Sequence, residues 1–434
     1  MIIYLYFRMQ NRLILDHLYV YSESSNCIDD KSKNMTIINP SNRLIYTDYL
    51  FTGLMPPLEN RCIEIDNEGT IISIFDNPTT QIKNKASYFP GAIIPGMVNA
   101  HTHLELSMLK DVVVPGRGMA SFIASIASQR GKTSLENQKE AITNALKDLN
   151  NQGVIGLGDI CNTPLSFESK SKSPLRTHNF IEVFGLDSTK ADQIINQALE
   201  TLTEAQNMDC GSTSLTPHAP YSLSQELIIN LHNYLLSTNQ PVSIHLAESK
   251  QEIELLESRK GEMAELFEKT KMLKNLPDSF RSPVDMVKAL IPKTCRLLTV
   301  HNTELNETMI ADLKLNYNDL WFCICPTSNY YINKTSPDIQ LLNSSKIPIV
   351  IGTDSSASNP NLQMAEELMA IQRLAPTLPA WVIIKWATAN GARLFHWNDL
   401  GELKPGTKPG LVWLKGVTSG EHLPYQGLTT QRIA

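Results

Sequence analysis

Ile93-Ile94-Pro95-Gly96-Met97-Val98-Asn99-Ala100-His101-Thr102-His103 is the stretch on which the fold of this chain turns. Its apolar run, Ile93 to Ala100, has the composition of a buried strand and stops at a His-x-His pair. Side chains two apart on a strand share a face, so both imidazoles project together from the strand's carboxyl end. Neutral imidazole is the commonest protein ligand for a metal ion.

Seven more apolar runs follow: Val154 to Ile160, Phe180 to Gly185, Ser214 to Pro217, Val242 to Leu246, Leu297 to Val300, Trp321 to Cys325 and Ile347 to Ile351. Helix-like text separates most of them, as in Ser134 to Asn150, Ser224 to Leu236, Lys250 to Lys269 and Glu304 to Leu313. Eight strand–helix units over about 300 residues predict an α/β chain folded as a (β/α)8 TIM-like barrel, spanning 93–397. An open doubly wound sheet is the runner-up, but no GxGxxG follows any of these strands.

Functional groups of such a barrel belong at the carboxyl ends of its strands. The fifth run ends Ile244-His245-Leu246-Ala247-Glu248, the sixth ends Val300-His301, and the eighth ends Gly352-Thr353-Asp354. Four strands therefore end in His, His, His and Asp, in a chain with ten histidines. That convergence predicts one divalent metal ion, zinc first and iron as the alternative, because imidazole with carboxylate suits both. Such an ion lowers the pKa of bound water from 15.7 towards about 7. Asp354 is then placed to ligate and to accept a proton, and Glu248 to shuttle a proton to a substrate nitrogen. His301 is placed to polarise a tetrahedral intermediate.

Outside the barrel the text is strand-like at both ends: Thr36 to Ile38, Arg43 to Thr52, Cys62 to Asp66, Thr70 to Phe75, then Gly410 to Lys415 and Gly427 to Ile433. These segments predict one small β-sandwich domain built from 35–92 and 398–434. Residues 1–34 are expected to be a poorly ordered extension. Met1 to Phe7 is apolar but short, with Arg8 directly after it and no small-residue cleavage site, so a signal peptide is not expected.

The 434 residues carry a net charge of -6, which argues against nucleic-acid and anionic-membrane partners. No window reaches the roughly 18 apolar residues of a membrane span. Seven cysteines, an odd number with no CxxC pair, read as reduced buried thiols of a cytoplasmic protein. A homodimer is the expectation from the commonest symmetry alone.

The pattern resembles the amidohydrolase superfamily, and within it the mononuclear metal-dependent deaminase branch. The matching text is Pro95 to His103, Pro217-His218-Ala219-Pro220-Tyr221-Ser222, His245-Leu246-Ala247-Glu248, Val300-His301 and Gly352-Thr353-Asp354-Ser355. By that resemblance His101, His103, His245 and Asp354 hold one metal ion, and Glu248, His301 and Asp354 are catalytic. The binuclear members place a carboxylated Lys after the fourth strand. Here that strand ends Thr216-Pro217-His218, which disfavours the dihydroorotase and hydantoinase type. The resemblance implies substrate contacts from His218 and from Ser358 of Asp354-Ser355-Ser356-Ala357-Ser358. Closer still, His103-Leu104-Glu105-Leu106-Ser107, Pro115-Gly116-Arg117-Gly118 and Cys325-Pro326-Thr327-Ser328-Asn329 are similar to aminodeoxyfutalosine deaminases. Tyr330 to Pro337 lacks that group's usual glycines, and Asn302-Thr303 stands where relatives vary, which leaves the substrate open among amino-purine nucleosides such as 6-aminodeoxyfutalosine and S-adenosylhomocysteine.

Other readings weigh less. His103-Leu104-Glu105 also spells the His-x-Glu of cytidine-type zinc deaminases, but those need a downstream Pro-Cys-x-x-Cys, and Cys323-Ile324-Cys325-Pro326 has the wrong order. Glu105 enters the first active-site loop, where substrate contact and a supporting role are both open. Asp159, at the second strand's end, is equally open between catalysis and holding a ligand. Chloride removal or cyclic-amide opening would use the same metal chemistry. A non-catalytic binding protein is disfavoured, because every ligand and proton-transfer position is filled.

Overall fold

The computed structural model describes residues 41–434 apart from Arg130. The extension 1–34 and the strand expected at Thr36 to Ile38 lie outside the described residues. Both chain ends contribute to one sheet. Strands β1 (Arg43–Leu50), β2 (Leu58–Ile65), β3 (Ile71–Phe75) and β4 (Ser87–Pro95) are joined by β13 (Leu411–Lys415) and β14 (Thr429–Arg432) in the order β14-β13-β4-β1-β2-β3. This is a single mixed sheet, not the expected two-sheet sandwich. The reason lies in its two faces. Ile45, Ile63, Ile65, Ile93 and Leu411 bury a cluster of their own, whereas Ala92, Ile94, Val412 and Leu414 pack into the main core of the α/β region. With that second face already covered, no opposing sheet is needed.

Between β4 and β13 the chain alternates. Strands β5 (Met97–Thr102), β6 (Val154–Cys161), β7 (Arg176–Val183) and β8 (Ser212–Pro217) form one parallel sheet. Strands β9 (Val242–Leu246), β10 (Leu297–His301), β11 (Leu320–Ile324) and β12 (Ile349–Ile351) form a second. Nearly every residue of these strands is buried, as parallel strands covered on both faces require. Serine and asparagine caps start the intervening helices: Ser134 for Leu135–Gln152, Ser224 for Gln225–Leu235 and Asn306 for Glu307–Asn316. The helix expected over 250–269 is two helices, Lys250–Ser258 and Gly261–Lys269, because Arg259 and Gly261 take positive φ.

The two parallel sheets are not one closed hydrogen-bonded ladder. Side-chain bonds and a few isolated backbone bonds occupy the seams where a continuous ladder would run. At one seam Thr216 Oγ1 accepts from the Ser243 amide at 2.7 Å, and the His245 amide donates to the His218 carbonyl at 2.9 Å. At the other, Asn99 donates to Thr353 Oγ1 at 2.7 Å and accepts from its amide at 3.1 Å, while Thr102 pairs with Asp354. Both seams meet carboxyl end to carboxyl end, which brings the ends of β5, β8, β9, β10 and β12 together.

Six cysteines of the described residues are free and buried. Among the described residues no helix is long and apolar enough to cross a membrane.

Candidate metal centre

The strand ends turn abruptly. Ala247, His301, Asn302 and Asp354 all have φ between 50° and 74°, a region costly for side chains with a Cβ and concentrated at functional sites. Each turn is fastened. Glu252 accepts from the Ala247 amide at 3.1 Å and the Glu248 amide at 2.8 Å. Asn302 donates to the carbonyls of Thr299 and Cys323 at 2.9 and 3.0 Å. The amides of Thr353 and Asp354 both donate to the His101 carbonyl at 3.1 Å.

These turns aim a set of electron pairs at one point. His101 Nε2 and His103 Nε2 lie 3.2 Å apart, and Asp354 Oδ1 lies 3.7 and 3.3 Å from them. The ligating atoms of His101, His103 and His245 fall within 4.8 Å of one another, as do those of His101, His301 and Asp354. His245 Nδ1 is 2.7 Å from the His218 carbonyl, a bond that fixes the proton there and leaves Nε2 as the ligating atom.

Converging lone pairs repel unless a cation lies among them. A proton is a poor candidate, since burial pushes the imidazoles of His101, His103 and His245 down, that of His245 to about 4. Burial would raise Asp354, but the neighbouring imidazoles of His101, His103 and His301 hold it well below the usual carboxylate range. Neutral imidazoles around an ionised carboxylate make a site whose chemistry fits a divalent ion.

The remaining predicted residues sit around this point. Glu248 Oε1 is 3.4 Å from His301 Nε2. Burial, then the charges of Asp354 and Glu252, push the Glu248 carboxyl well above its ordinary range. Ser358 Oγ donates to Asp354 Oδ2 at 2.5 Å. His218 Nδ1 is 3.1 Å from Ser222 Oγ, whose own proton goes to the Ala219 carbonyl at 2.8 Å. Glu105 is buried, and both its oxygens are engaged by the loop after β6. They accept from the Thr163 amide and hydroxyl at 2.8 Å and from the Asn162 amide at 3.1 Å. Asp159 does not reach a ligand side chain. It accepts from the Leu104 amide at 2.9 Å, one residue beyond His103, and pairs with the fully buried Lys170 at 2.7 Å.

Sequence reasoning missed several members. Ser328 donates to Asp354 Oδ2 at 2.6 Å, and Asn329 Nδ2 lies 3.1 Å from His301 Nδ1. Glu182, at the end of β7, is 3.8 Å from His245 Nδ1 and takes a bond from Asn162 at 2.7 Å. Glu252 carried a readable signal, because Ser249-x-x-Glu252 spells a capping box. Its carboxylate, however, reaches past Ser249 to the amides of Ala247 and Glu248.

Comparison with known proteins agrees with this architecture. Residues 92–431 match the Amidohydrolase family. An adenosine deaminase of Helicobacter pylori is 26% identical over 356 residues, covering 79% of this chain and 84% of the relative. An aminodeoxyfutalosine deaminase of Deinococcus radiodurans is 25% identical, covering 86% and 89%. Among solved structures, Helicobacter pylori aminofutalosine deaminase in complex with methylthio-coformycin superposes with a TM-score of 0.71 at 24% identity, covering 85% of this chain and 91% of that one. An adenosine deaminase from Xanthomonas campestris with bound zinc gives 0.64 at 20% identity, covering 85% and 83%. The match over most of its length, on parallel sheets whose strand ends converge, makes this chain a member of the amidohydrolase family, an enzyme that hydrolyses carbon–nitrogen bonds other than peptide bonds.

Proposed function

We propose that the protein is a metal-dependent hydrolytic deaminase of an amino-purine nucleoside-like substrate, such as 6-aminodeoxyfutalosine or S-adenosylhomocysteine, releasing ammonia. The observation that carries the reading is the buried convergence of His101, His103, His245 and Asp354 beside a buried carboxyl, Glu248, 3.4 Å from His301. Relatives named adenosine and aminodeoxyfutalosine deaminase support the substrate class.

His101, His103, His245 and Asp354 would hold one divalent ion, zinc before iron. When bound, it supplies a water acidic enough to attack near neutral pH. Asp354 accepts the proton of the attacking water through Oδ1, since Oδ2 is occupied by Ser328 and Ser358. Glu248 donates its proton to a ring nitrogen, which readies the neighbouring carbon for attack. The proton taken by Asp354 passes to the departing amine, and Glu248, now a base, regains a proton from the attacking oxygen as the product carbonyl forms. His301 steadies the oxygen that becomes the product carbonyl. A carbon–oxygen bond forms, the carbon–nitrogen bond breaks, and ammonia leaves. His218 and Ser358 stand at the rim of the reacting point as substrate contacts, whereas Glu105 acts through the loop at 162–163.

The same reading takes the two parallel sheets as a (β/α)8 barrel over 93–397, with the sheet from both termini as a separate small domain. It also takes the chain as a cytoplasmic homodimer.

The test is ammonia release by zinc-loaded protein across amino-purine nucleosides, 6-aminodeoxyfutalosine and S-adenosylhomocysteine included. Release from one of them, lost in His101→Ala, is the expected result. Silence across the panel, with one metal ion bound per chain, would replace this reading with another hydrolytic leaving group.

A further inference from the structure

The first turn of the helix Pro326–Asn333 sets adjacent side chains against two different groups of the centre. Ser328 reaches Asp354, and Asn329 reaches His301. Asn329 is completely buried, and its backbone amide is spent on the Cys325 carbonyl at 3.0 Å. Its side chain is thus anchored close to the backbone, with one near partner, His301 Nδ1 at 3.1 Å.

His301 is held at both ends of its ring. Nδ1 meets Asn329, and Nε2 stands 3.4 Å from Glu248 Oε1. A neutral imidazole carries one proton, so what Nδ1 does decides what Nε2 offers. An amide N–H donated to Nδ1 leaves the proton on Nε2, aimed at the reacting point. A carbonyl or carboxylate oxygen at the same place would draw the proton to Nδ1 and leave Nε2 a bare acceptor. A protonated Glu248 is compatible with the first arrangement: its carbonyl oxygen accepts from Nε2–H, while its hydroxyl stays free for the substrate.

We infer that Asn329 donates its side-chain N–H to His301 Nδ1 and so fixes the tautomer in which His301 carries its proton on Nε2. Asn329 is then a positioning residue, and His301 serves as a hydrogen-bond donor, not as a base. This role rests on the deaminase reading only where turnover is measured; the tautomer can be read on the protein alone.

The experiment uses the full chain, zinc-loaded and labelled with 15N-histidine. Long-range 1H–15N correlation spectra report which ring nitrogen of His301 bears the proton, with the signals assigned by their loss in His301→Gln. The wild type should show Nε2–H alone. Asn329→Asp, which is isosteric but offers only acceptors, should move the proton to Nδ1 or protonate both nitrogens. Asn329→Ala, which adds no charge and so covers the case in which the Asp variant misfolds, should give mixed tautomers. Where a substrate from the panel is turned over, Asn329→Asp should lose at least as much kcat as Asn329→Ala, on the order of 10–100-fold, with KM little changed. A residue that merely filled space would give the reverse ranking. Nδ1–H in the wild type, or more kcat kept by the Asp variant than by the Ala variant, overturns the inference. A panel without turnover removes the deaminase reading and leaves the tautomer result to decide this one.

Discussion

Lys170→Met puts the heaviest load on the structural account. Lys170 is fully buried, and its ammonium lies 2.7 Å from Asp159 Oδ2 and 3.2 Å from Cys161 Sγ, with Asn179 Oδ1 also accepting from it. Burial works against the charged lysine, but the Asp159 and Cys161 groups offset it and keep the ammonium charged. Methionine matches the stem and removes the charge. Asp159 would then be a buried carboxyl without its cation, left with the Leu104 amide at 2.9 Å, the Ser166 hydroxyl at 3.2 Å and the Cys161 thiol at 3.4 Å. Breaking one side of such a pair costs about 3–5 kcal/mol, far more than the near-zero worth of an exposed pair. Asp159→Asn with Lys170→Met removes both charges, and it should recover most of that loss. The assay is urea unfolding of the metal-free protein, with the four corners of the cycle giving the coupling directly. Because Asp159 fastens the residue after His103, the single variant should also bind zinc less tightly. A Lys170→Met protein within about 1 kcal/mol of wild type would refute the argument, since surface-like substitutions fall in that range.

Other consequences follow from the same geometry. Ser328→Ala and Ser358→Ala each remove one donor from Asp354 Oδ2, so each should weaken zinc binding about 10-fold in a chelator competition, and the pair more than either. Unchanged affinity in the double variant would mean that Asp354 is held by other means. Glu248→Gln keeps the shape and loses the proton; turnover should fall by about 10²–10⁴ with metal content unchanged, and full turnover would end its assignment as the shuttle. His178 is buried between Ser212 and Ser214, and burial, with Lys170 nearby, pushes it down to about 3 from the ordinary 6.5. The unfolded chain therefore takes up a proton below pH 6.5 that the folded chain refuses. The stability this neutral histidine lends is complete above pH 6.5 and is lost as pH falls towards about 3, by up to about 1.4 kcal/mol per unit. Denaturation of wild type and His178→Gln across that window should diverge; parallel curves would contradict the assignment.

Much of this was legible in the sequence because strand ends are written locally. His101 and His103 lie two apart on one strand, and the runs ending at His245, His301 and Asp354 announce their own position. What the sequence hid is what passes between distant segments. Ser328 meets Asp354 across 26 positions, and Lys170 meets Asp159 through a short helix that carries no motif. The sandwich expectation failed for a similar reason: Ala92, Ile94, Val412 and Leu414 look like any strand residues, and only packing reveals that their face is already covered. The place of Glu105 after the ligand strand leaves substrate contact and support both open, and the bonds by which its oxygens tie two loops together could not be read from the sequence. Alternation along a strand tells which residues share a face, but not which partner that face meets.

The central claim is that His101, His103, His245 and Asp354 form one metal site, and metal content tests it most directly. Purified protein exposed to zinc and then freed of loose metal by gel filtration should retain one ion per chain. His103→Ala, His245→Ala and Asp354→Ala should each retain little while remaining folded by circular dichroism. A wild-type chain that retains none, or folded variants that hold the ion as firmly as wild type, would contradict the account.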